Sequence, residues 1–291
     1  MNNQSNSSPV WSRQHSRDFS TFKYCYPVVS RRLGGLSLGI NLLQDKYCNF
    51  NCRYCEVKRD INTESSLFVD VYDIALELEK LFAMYRSGEI WEISPLDMVE
   101  SEYRKLRSIT FSGDGEPTSS RYFPEAMEMA LNCRDSIRAV YSDIDVVLIT
   151  NVGLLHKEKV RGALRNFSGK GPVVWAKLDA GTSKYFQDVC GTKDTIQHIL
   201  ENILLIPESS ELVIQTCFSC VDGKPPSRQE LLAYIDKLRY LRKKGSHFSR
   251  VDVYTVSRSA ADPGIRPLDI GFLQDVAGRI NQLGMAARVY I

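Results

Sequence analysis

Short apolar runs rich in β-branched residues alternate along the chain with longer segments in which apolar residues recur every three or four positions. The first pattern is typical of buried strands, and the second is typical of amphipathic helices. Their strict alternation predicts six strand-then-helix units and a parallel sheet with helices outside it. The predicted strands are 37–43, 107–112, 145–150, 173–180, 212–218 and 250–256, with a last short strand at 288–291, and the predicted helices are 70–87, 121–138, 156–166, 193–206, 228–244 and 269–283.

A parallel sheet of this kind can curl into a barrel, and we predict an α/β fold with a partial TIM-like (β/α)6 barrel. Active sites of such barrels form in the loops that leave the carboxyl ends of the strands. Residues 1–20 are rich in Ser, Asn and Gln, which predicts a disordered or loosely ordered tail. Residues 21–291 are predicted to form a single barrel domain behind this short amino-terminal extension.

The composition and charge are those of a soluble globular protein. The 291 residues are 43% hydrophobic and 25% charged. The amino terminus has no apolar signal-peptide core, and no stretch approaches the roughly 18 apolar residues of a membrane span. We therefore expect a cytoplasmic protein with no membrane partner. A net charge of +2 gives no support for nucleic-acid binding, which normally requires a basic surface.

Three of the eight cysteines form a motif directly after the first predicted strand, Cys48-x3-Cys52-x2-Cys55. Clustered thiols in a reducing compartment indicate metal or redox chemistry more than disulfides. Thiolates suit iron–sulfur clusters and zinc, and three of them can hold three corners of a cubane and leave the fourth iron open. Structural zinc usually has four ligands, and no fourth Cys or His follows within about twenty residues, so zinc is less favoured. The polar loop also disfavours unligated structural thiols.

This spacing, with the aromatic Tyr54 before the last cysteine, resembles the motif of the radical S-adenosylmethionine (SAM) superfamily. The resemblance implies a 4Fe–4S cluster on Cys48, Cys52 and Cys55, with SAM bound to the open iron through its amino and carboxylate groups. It further implies reductive cleavage of SAM to a 5′-deoxyadenosyl radical that abstracts hydrogen from a substrate. A reduced flavodoxin or ferredoxin is the implied electron donor.

Further segments extend the resemblance over most of the chain. The segments SLGINL, KYCNFNCRYC, GDGEPT, KLDAGT and YTVSR are similar to those of uncharacterised Fe–S oxidoreductases related to the wyosine-synthesising radical SAM enzymes. Gly113, Asp114, Gly115 and Glu116 resemble the Gly-Gly-Glu element that binds the SAM amino group, with Asp114 inserted between the glycines. A simple strand–helix turn would also explain these residues.

Polar residues at strand ends and inside the predicted barrel supply further candidates. Thr150 and Asn151 end the third strand, where family members bind the SAM carboxylate or ribose, although a strand-end turn is equally compatible. Side chains alternate across a strand, so Lys177 and Asp179 point into the barrel as candidate catalytic residues or as a structural ion pair. The same parity places further side chains inside: Trp175, Gln215, Cys217, Asp252 and Tyr254. Of these, Gln215 is a candidate cofactor ligand.

The remaining cysteines allow a second centre. Cys190, Cys217 and Cys220 fall in loops of the same barrel rim and are candidate ligands of a second Fe–S cluster. Alternatively, Cys217 and Cys220 form a redox pair, or all three are unligated. Cys25 and Cys133 show no pattern and are interpreted as structural.

The sequence favours a radical SAM enzyme with an unidentified substrate. Within that class, tRNA-base modification and activation of a glycyl-radical enzyme are both compatible with the motifs. The alternative class is an iron–sulfur electron carrier or redox sensor without SAM turnover. A carrier has no need of the Gly113–Thr118 turn or of polar side chains inside a barrel, and a zinc-binding module would contain zinc in place of iron.

Overall fold

The computed structural model describes Phe19 and residues 22–59, 67–165 and 167–291. Apart from Phe19, the predicted tail at 1–20 lies outside the described residues. The strands are β1 (Cys25–Ser30), β2 (Gly35–Ile40), β3 (Leu106–Phe111), β4 (Asp145–Thr150), β5 (Val173–Lys177), β6 (Glu211–Cys217), β7 (Cys220–Val221), β8 (Arg250–Tyr254), β9 (Ile265–Arg266) and β10 (Ala287–Tyr290). The α-helices are α1 (Val71–Ser87), α2 (Phe123–Ile137), α3 (Glu158–Ala163), α4 (Ser183–Cys190), α5 (Ile196–Leu204), α6 (Arg228–Lys243) and α7 (Ile270–Asn281).

Eight of the strands form one curled sheet in the order β1-β2-β3-β4-β5-β6-β8-β10. From β2 to β10 all neighbours are parallel, whereas β1 pairs with β2 in antiparallel orientation. The sheet is a half-barrel with edge strands β1 and β10, and the helices lie on its outer side. This confirms the predicted partial TIM-like barrel.

The predicted elements are present with bounds that differ by a few residues. The predictions missed β1, which contains Pro27, and proline in a run argues against a strand. They also missed α4, an eight-residue helix capped by the Thr182 side chain and by Gly191 in the left-handed region. The two-stranded β7–β9 ribbon is too short to give a periodic signal.

The two faces of β5 show why the barrel has a polar interior. Val174, Ala176 and Leu178 pack in the main core between sheet and helices, as the alternation predicts. Trp175 points to the other side and joins a separate apolar cluster inside the barrel with Val147, Val173 and Val213. Lys177 follows on this inner face. The inside therefore has a small apolar base and polar groups above it.

The edge strand β1 is fastened by a buried carboxylate. Glu77 of α1 accepts hydrogen bonds from the backbone N–H groups of Lys23, Tyr24 and Cys25 at 2.7–2.9 Å. Cys25 is buried beside them and donates to the carbonyl oxygen of Ile74, which agrees with a structural role. In the described part of the chain, no helix has the length and apolar character needed to cross a membrane.

Candidate active site

The cysteine motif lies in the loop after β2, at the carboxyl end of the parallel strands, where the barrel rule places chemistry. Its thiols open onto a cavity of about 420 Å³ inside the half-barrel. The structure brings most of the predicted site residues to the wall of this one cavity: Cys48, Cys52, Tyr54, Cys55, Gly113, Gly115, Glu116, Thr150, Asn151 and Lys177. Asp114, Asp179 and Gln215 do not line this cavity.

The loop is held in place by backbone bonds and by one arginine. Asn51 donates its N–H to the carbonyl oxygen of Cys190 at 3.2 Å, and Arg53 donates to that of Val189 at 2.9 Å. The Arg53 guanidinium contacts three carboxylates from separate segments, Asp188, Asp222 and Asp262. The cysteine loop is thereby tied to the end of α4 and to the two segments around the β7–β9 ribbon.

The thiols have donors beside them that would stabilise thiolates. The Arg59 guanidinium donates to Sγ of Cys55 at 3.2 Å, and Nδ2 of Asn151 lies 3.8 Å from Sγ of Cys48. A hydrogen bond from the Cys190 thiol lowers the pKa of Cys52, whereas burial raises the pKa of Cys48 to about 12. A bound cluster would require all three as thiolates, and the cationic and amide donors around them are suited to stabilise thiolate ligands.

Glu116 joins the two loops that border the cavity. Its buried carboxylate accepts from the N–H and hydroxyl of Thr118 at 3.2 and 2.6 Å. It also accepts from the Thr150 hydroxyl and the Asn151 N–H, both at 2.7 Å. Burial raises the pKa of Glu116, and these four donors partly offset that effect. The carboxylate therefore fixes the turn after β3 against the end of β4.

The glycines of this turn allow close packing. Gly113 has φ of +142°, and a Cβ there would lie 2.5 Å from Oδ1 of Asn41. A Cβ on Gly115 would lie 1.8 Å from the carbonyl oxygen of Tyr47, in the cysteine loop. Asp114, between them, accepts from Nδ2 of Asn41 at 2.7 Å and, through its carbonyl oxygen, from Arg59. The turn is thus packed directly against the segment that carries Cys48.

Lys177 and Asp179 are part of a buried polar network. The Lys177 ammonium lies 2.9 Å from Oδ1 of Asp179 and donates to the Tyr254 hydroxyl. Asp179 also accepts from the Tyr54 hydroxyl at 2.6 Å and from the N–H of Cys217 at 2.7 Å. Burial lowers the pKa of Lys177, but Asp179 and Tyr254 outweigh it and the pKa is raised. Lys177 is therefore a permanent ammonium at the cavity wall, held by Asp179 from behind.

Gln215 contacts an arginine that the sequence analysis did not single out. Arg32, in the turn between β1 and β2, donates Nη1 to Oε1 of Gln215 at 2.9 Å. Its guanidinium lies over the Tyr254 ring at 4.0 Å from the centroid and 5.6 Å from that of Trp175. The predicted ligand role of Gln215 stays a prediction, and its observed partner is Arg32.

Comparison with known proteins decides the family. Residues 46–238, about two thirds of the chain, match the family model of the Radical SAM superfamily. The chain belongs to the radical SAM superfamily. It is accordingly an enzyme of the radical SAM class, and the resemblance inferred from the cysteine spacing is confirmed. The superfamily implies an iron–sulfur cluster and SAM, which fit the thiol-lined cavity described above.

Individual relatives share sequence or fold with this chain, but they do not identify its substrate. A UPF0026 protein of Methanocaldococcus jannaschii is 32% identical over 196 residues, which cover 65% of this chain and 52% of that protein. The chain therefore matches about half the length of that relative. A structure of TYW1 with a lysine-pyruvate adduct bound has a TM-score of 0.55 at 14% identity, over 85% of this chain and 72% of that chain. SuiB of Streptococcus suis bound to SAM also gives 0.55, at 15% identity, over 89% and 52%. At such identities the likeness concerns the fold.

The three remaining candidate cysteines of this radical SAM chain lie on different elements. Cys190 is buried against Cys52, Cys217 lines the cavity, and Cys220 lies in β7. Among the described residues, no group of three or more His, Cys, Asp or Glu side chains is arranged to hold a metal ion. A cubane places each thiolate on a different iron, so its ligands stand farther apart than those of a single ion. The second cluster stays a prediction.

Proposed function

We propose that this radical SAM enzyme binds a 4Fe–4S cluster on Cys48, Cys52 and Cys55 and SAM in the adjoining cavity, and abstracts hydrogen from a substrate inside the half-barrel. The observation that carries the proposal is the convergence of the three thiols, the Gly113–Glu116 turn and Lys177 on one cavity wall. When bound, the cluster supplies the electron that cleaves SAM into methionine and the hydrogen-abstracting 5′-deoxyadenosyl radical.

In this proposal, different residues around the cavity contact different groups of SAM. The backbone of Gly113 and Gly115 is open to a ligand because neither residue has a side chain, and it faces the amino group of the bound SAM. Asn151, whose side chain already reaches toward Cys48, lies beside the ribose or carboxylate. Glu116 holds these two segments together through its four hydrogen bonds and acts as a positioning residue.

Lys177 binds an anionic group of SAM or of the substrate with its ammonium. Asp179 lies behind it with both oxygens engaged, so we assign it a positioning role for Lys177 and Tyr54. A small carrier protein has no use for such a wall, and this favours the enzyme over an electron carrier. The proposal includes a reduced flavodoxin or ferredoxin as electron donor, a cytoplasmic location and a single domain from residue 21 onward.

The proposal is tested with wild-type protein purified without oxygen and reconstituted with iron and sulfide. We expect about four irons per chain, together with 5′-deoxyadenosine formation from SAM under reducing conditions. About eight irons would add the second cluster on Cys190, Cys217 and Cys220. Zinc in place of iron, or a cluster without SAM cleavage, would exclude the proposed function and favour a zinc module or a redox protein.

The variant Lys177→Met distinguishes an effect on cluster binding from an effect on SAM cleavage. Methionine keeps the unbranched apolar stem of the side chain but removes the ammonium, so the iron content should stay near that of the wild type. We expect 5′-deoxyadenosine formation to fall roughly tenfold to a hundredfold, as for loss of a charged hydrogen bond. Lys170→Met, at an exposed ion pair with Asp145, is the matched control. Unchanged turnover in Lys177→Met would assign Lys177 a structural role only.

A further inference from the structure

The turn between β1 and β2 closes the amino end of the half-barrel and sends one arginine into it. Leu33 of this turn packs on the inner apolar cluster that contains Trp175. The neighbouring Arg32 reaches across the barrel to Gln215 of β6 and to the ring of Tyr254. Gln215 is fully buried and accepts from Arg32, so it fixes the direction of the guanidinium. Arg32 is thereby held in one place in the cavity wall.

The cavity wall carries more positive than negative side chains. Five basic side chains and two carboxylates line it: Arg31, Arg32, Arg59, Lys177, Arg258, Glu56 and Glu116. Three of the basic groups have partners that explain them. Arg258 pairs with Glu56, Lys177 pairs with Asp179, and Arg59 contacts the thiol of Cys55.

Arg32 differs from these three. In the described ranges it pairs with no carboxylate, and its partners there are the Gln215 amide oxygen and two aromatic rings. A guanidinium that lies over the rings of Tyr254 and Trp175 is shielded from water on those faces, and its charge then favours a counter-anion. Its planar edge is suited to two parallel hydrogen bonds with a carboxylate or phosphate.

Two further donors on this side of the barrel have no acceptor in the part of the chain that the structure describes. The indole Nε1 of Trp175 and the amide Nε2 of Gln215 are buried without a hydrogen-bond partner among the described residues. Buried polar groups nearly always have a partner, so an unsatisfied pair next to an uncompensated arginine requires an explanation. An oxyanion beside Arg32 would supply an acceptor for these donors.

We propose that Arg32 anchors the substrate by an oxyanion, a carboxylate or a phosphate, carried on a small molecule with a flat or apolar body. This rests on the proposed function, because it takes the anchored molecule to be the one that loses hydrogen. Aromatic side chains supply the matching wall: Tyr26, Phe50, Tyr54, Trp175, Tyr254 and Tyr290. A cavity of about 420 Å³ is of the size that proteins use for small molecules.

The test measures binding of three probes of similar shape to the reconstituted enzyme by calorimetry. Benzoate and phenyl phosphate carry the anion, and benzamide is the neutral counterpart. We expect one or both anions to bind the wild type at least about tenfold more tightly than benzamide, and Arg32→Gln to remove that difference. Arg32→Lys, which keeps the charge without the planar edge, should retain part of it. Arg138→Gln, which removes one exposed charge outside the cavity, is the matched control.

The probe that binds shows whether the oxyanion of the substrate is a carboxylate or a phosphate. Iron content, measured for every variant, shows that Arg32→Gln has folded with an intact cysteine loop. The anchor is excluded by equal binding of wild type and Arg32→Gln, by equal losses in Arg138→Gln, or by absence of any binding at about 10 mM probe. Wild-type protein that binds an anion through Arg32 but cleaves no SAM would keep the anchor and exclude the proposed function. Wild-type protein that cleaves SAM but shows no preference for anions would exclude the anchor alone.

Discussion

The Cys52→Ala protein is expected to lose its iron–sulfur absorbance and its 5′-deoxyadenosine formation together. Two thiolates hold a cubane poorly, and without this cluster SAM loses the proposed electron donor beside it. Iron per chain should fall well below the wild-type value after reconstitution, and SAM cleavage should fall to the level of a reaction without protein. Iron analysis and chromatography of the reaction products measure the two effects on the same sample.

Cys133→Ala is the matched control for this experiment. Cys133 is a half-buried thiol in α2 that contacts Met129, so its removal should leave iron and activity unchanged. The neighbouring Cys190 allows a second comparison, because its thiol lies close enough to Cys52 to lower the pKa of that thiol. Iron that remains in Cys52→Ala but is lost in the Cys52→Ala, Cys190→Ala double variant would show that Cys190 replaces the missing ligand. Full iron and activity in both variants would contradict the assignment of Cys52.

The largest loss of stability is expected for Glu116→Ala. The substitution leaves four donors from Thr118, Thr150 and Asn151 without their buried acceptor, at a cost of about 3–4 kcal/mol if water rescues part of them. For a chain of this size the Tm should fall by roughly 10 °C. Thermal unfolding followed by circular dichroism measures the shift, and the affinity for SAM should fall with it because both cavity loops lose their common partner.

Two comparisons separate this effect from a general loss of charge. Glu116→Gln keeps one oxygen for the threonine donors but turns an N–H toward the backbone of Asn151, so its Tm should lie between those of wild type and Glu116→Ala. Glu158→Ala removes an exposed carboxylate that pairs with Arg161 and Arg165, and exposed pairs contribute little. An equal fall in Tm for Glu158→Ala and Glu116→Ala would show that the buried hydrogen bonds do not stabilise the fold.

The sequence was sufficient to predict the half-barrel and the site residues that follow its strands. Alternation along β5 placed Val174, Ala176 and Leu178 outside and Lys177 inside, because parity in a strand is a local property. The cysteine spacing predicted the family because the three ligands of one cluster lie close together in the chain, so the motif is also a local property. Both predictions depend only on residues that are near each other in the chain.

Partners from distant segments could not be predicted in this way. Asp179 was placed on the correct face, but nothing in its own strand indicates that Tyr54, 125 residues earlier, donates to it. Arg32 was missed because a turn has no periodicity that shows which side chain enters the barrel. The pair Arg31-Arg32 before two glycines was the available signal. Asn41, which holds Asp114, lies just past the end of a strand and was passed over beside the cysteines.

The short strand β2 has a consequence for how such an enzyme can diversify. It begins next to the turn that carries Arg32 and ends next to the loop that carries the thiols, six residues or about 20 Å farther on. Under the two proposals above, ligand selectivity and electron delivery depend on residues at opposite ends of β2. We expect that exchanging the few residues of the turn would alter which molecules bind in the cavity. The cysteine loop beyond the other end of β2, and its proposed cluster, should stay unchanged.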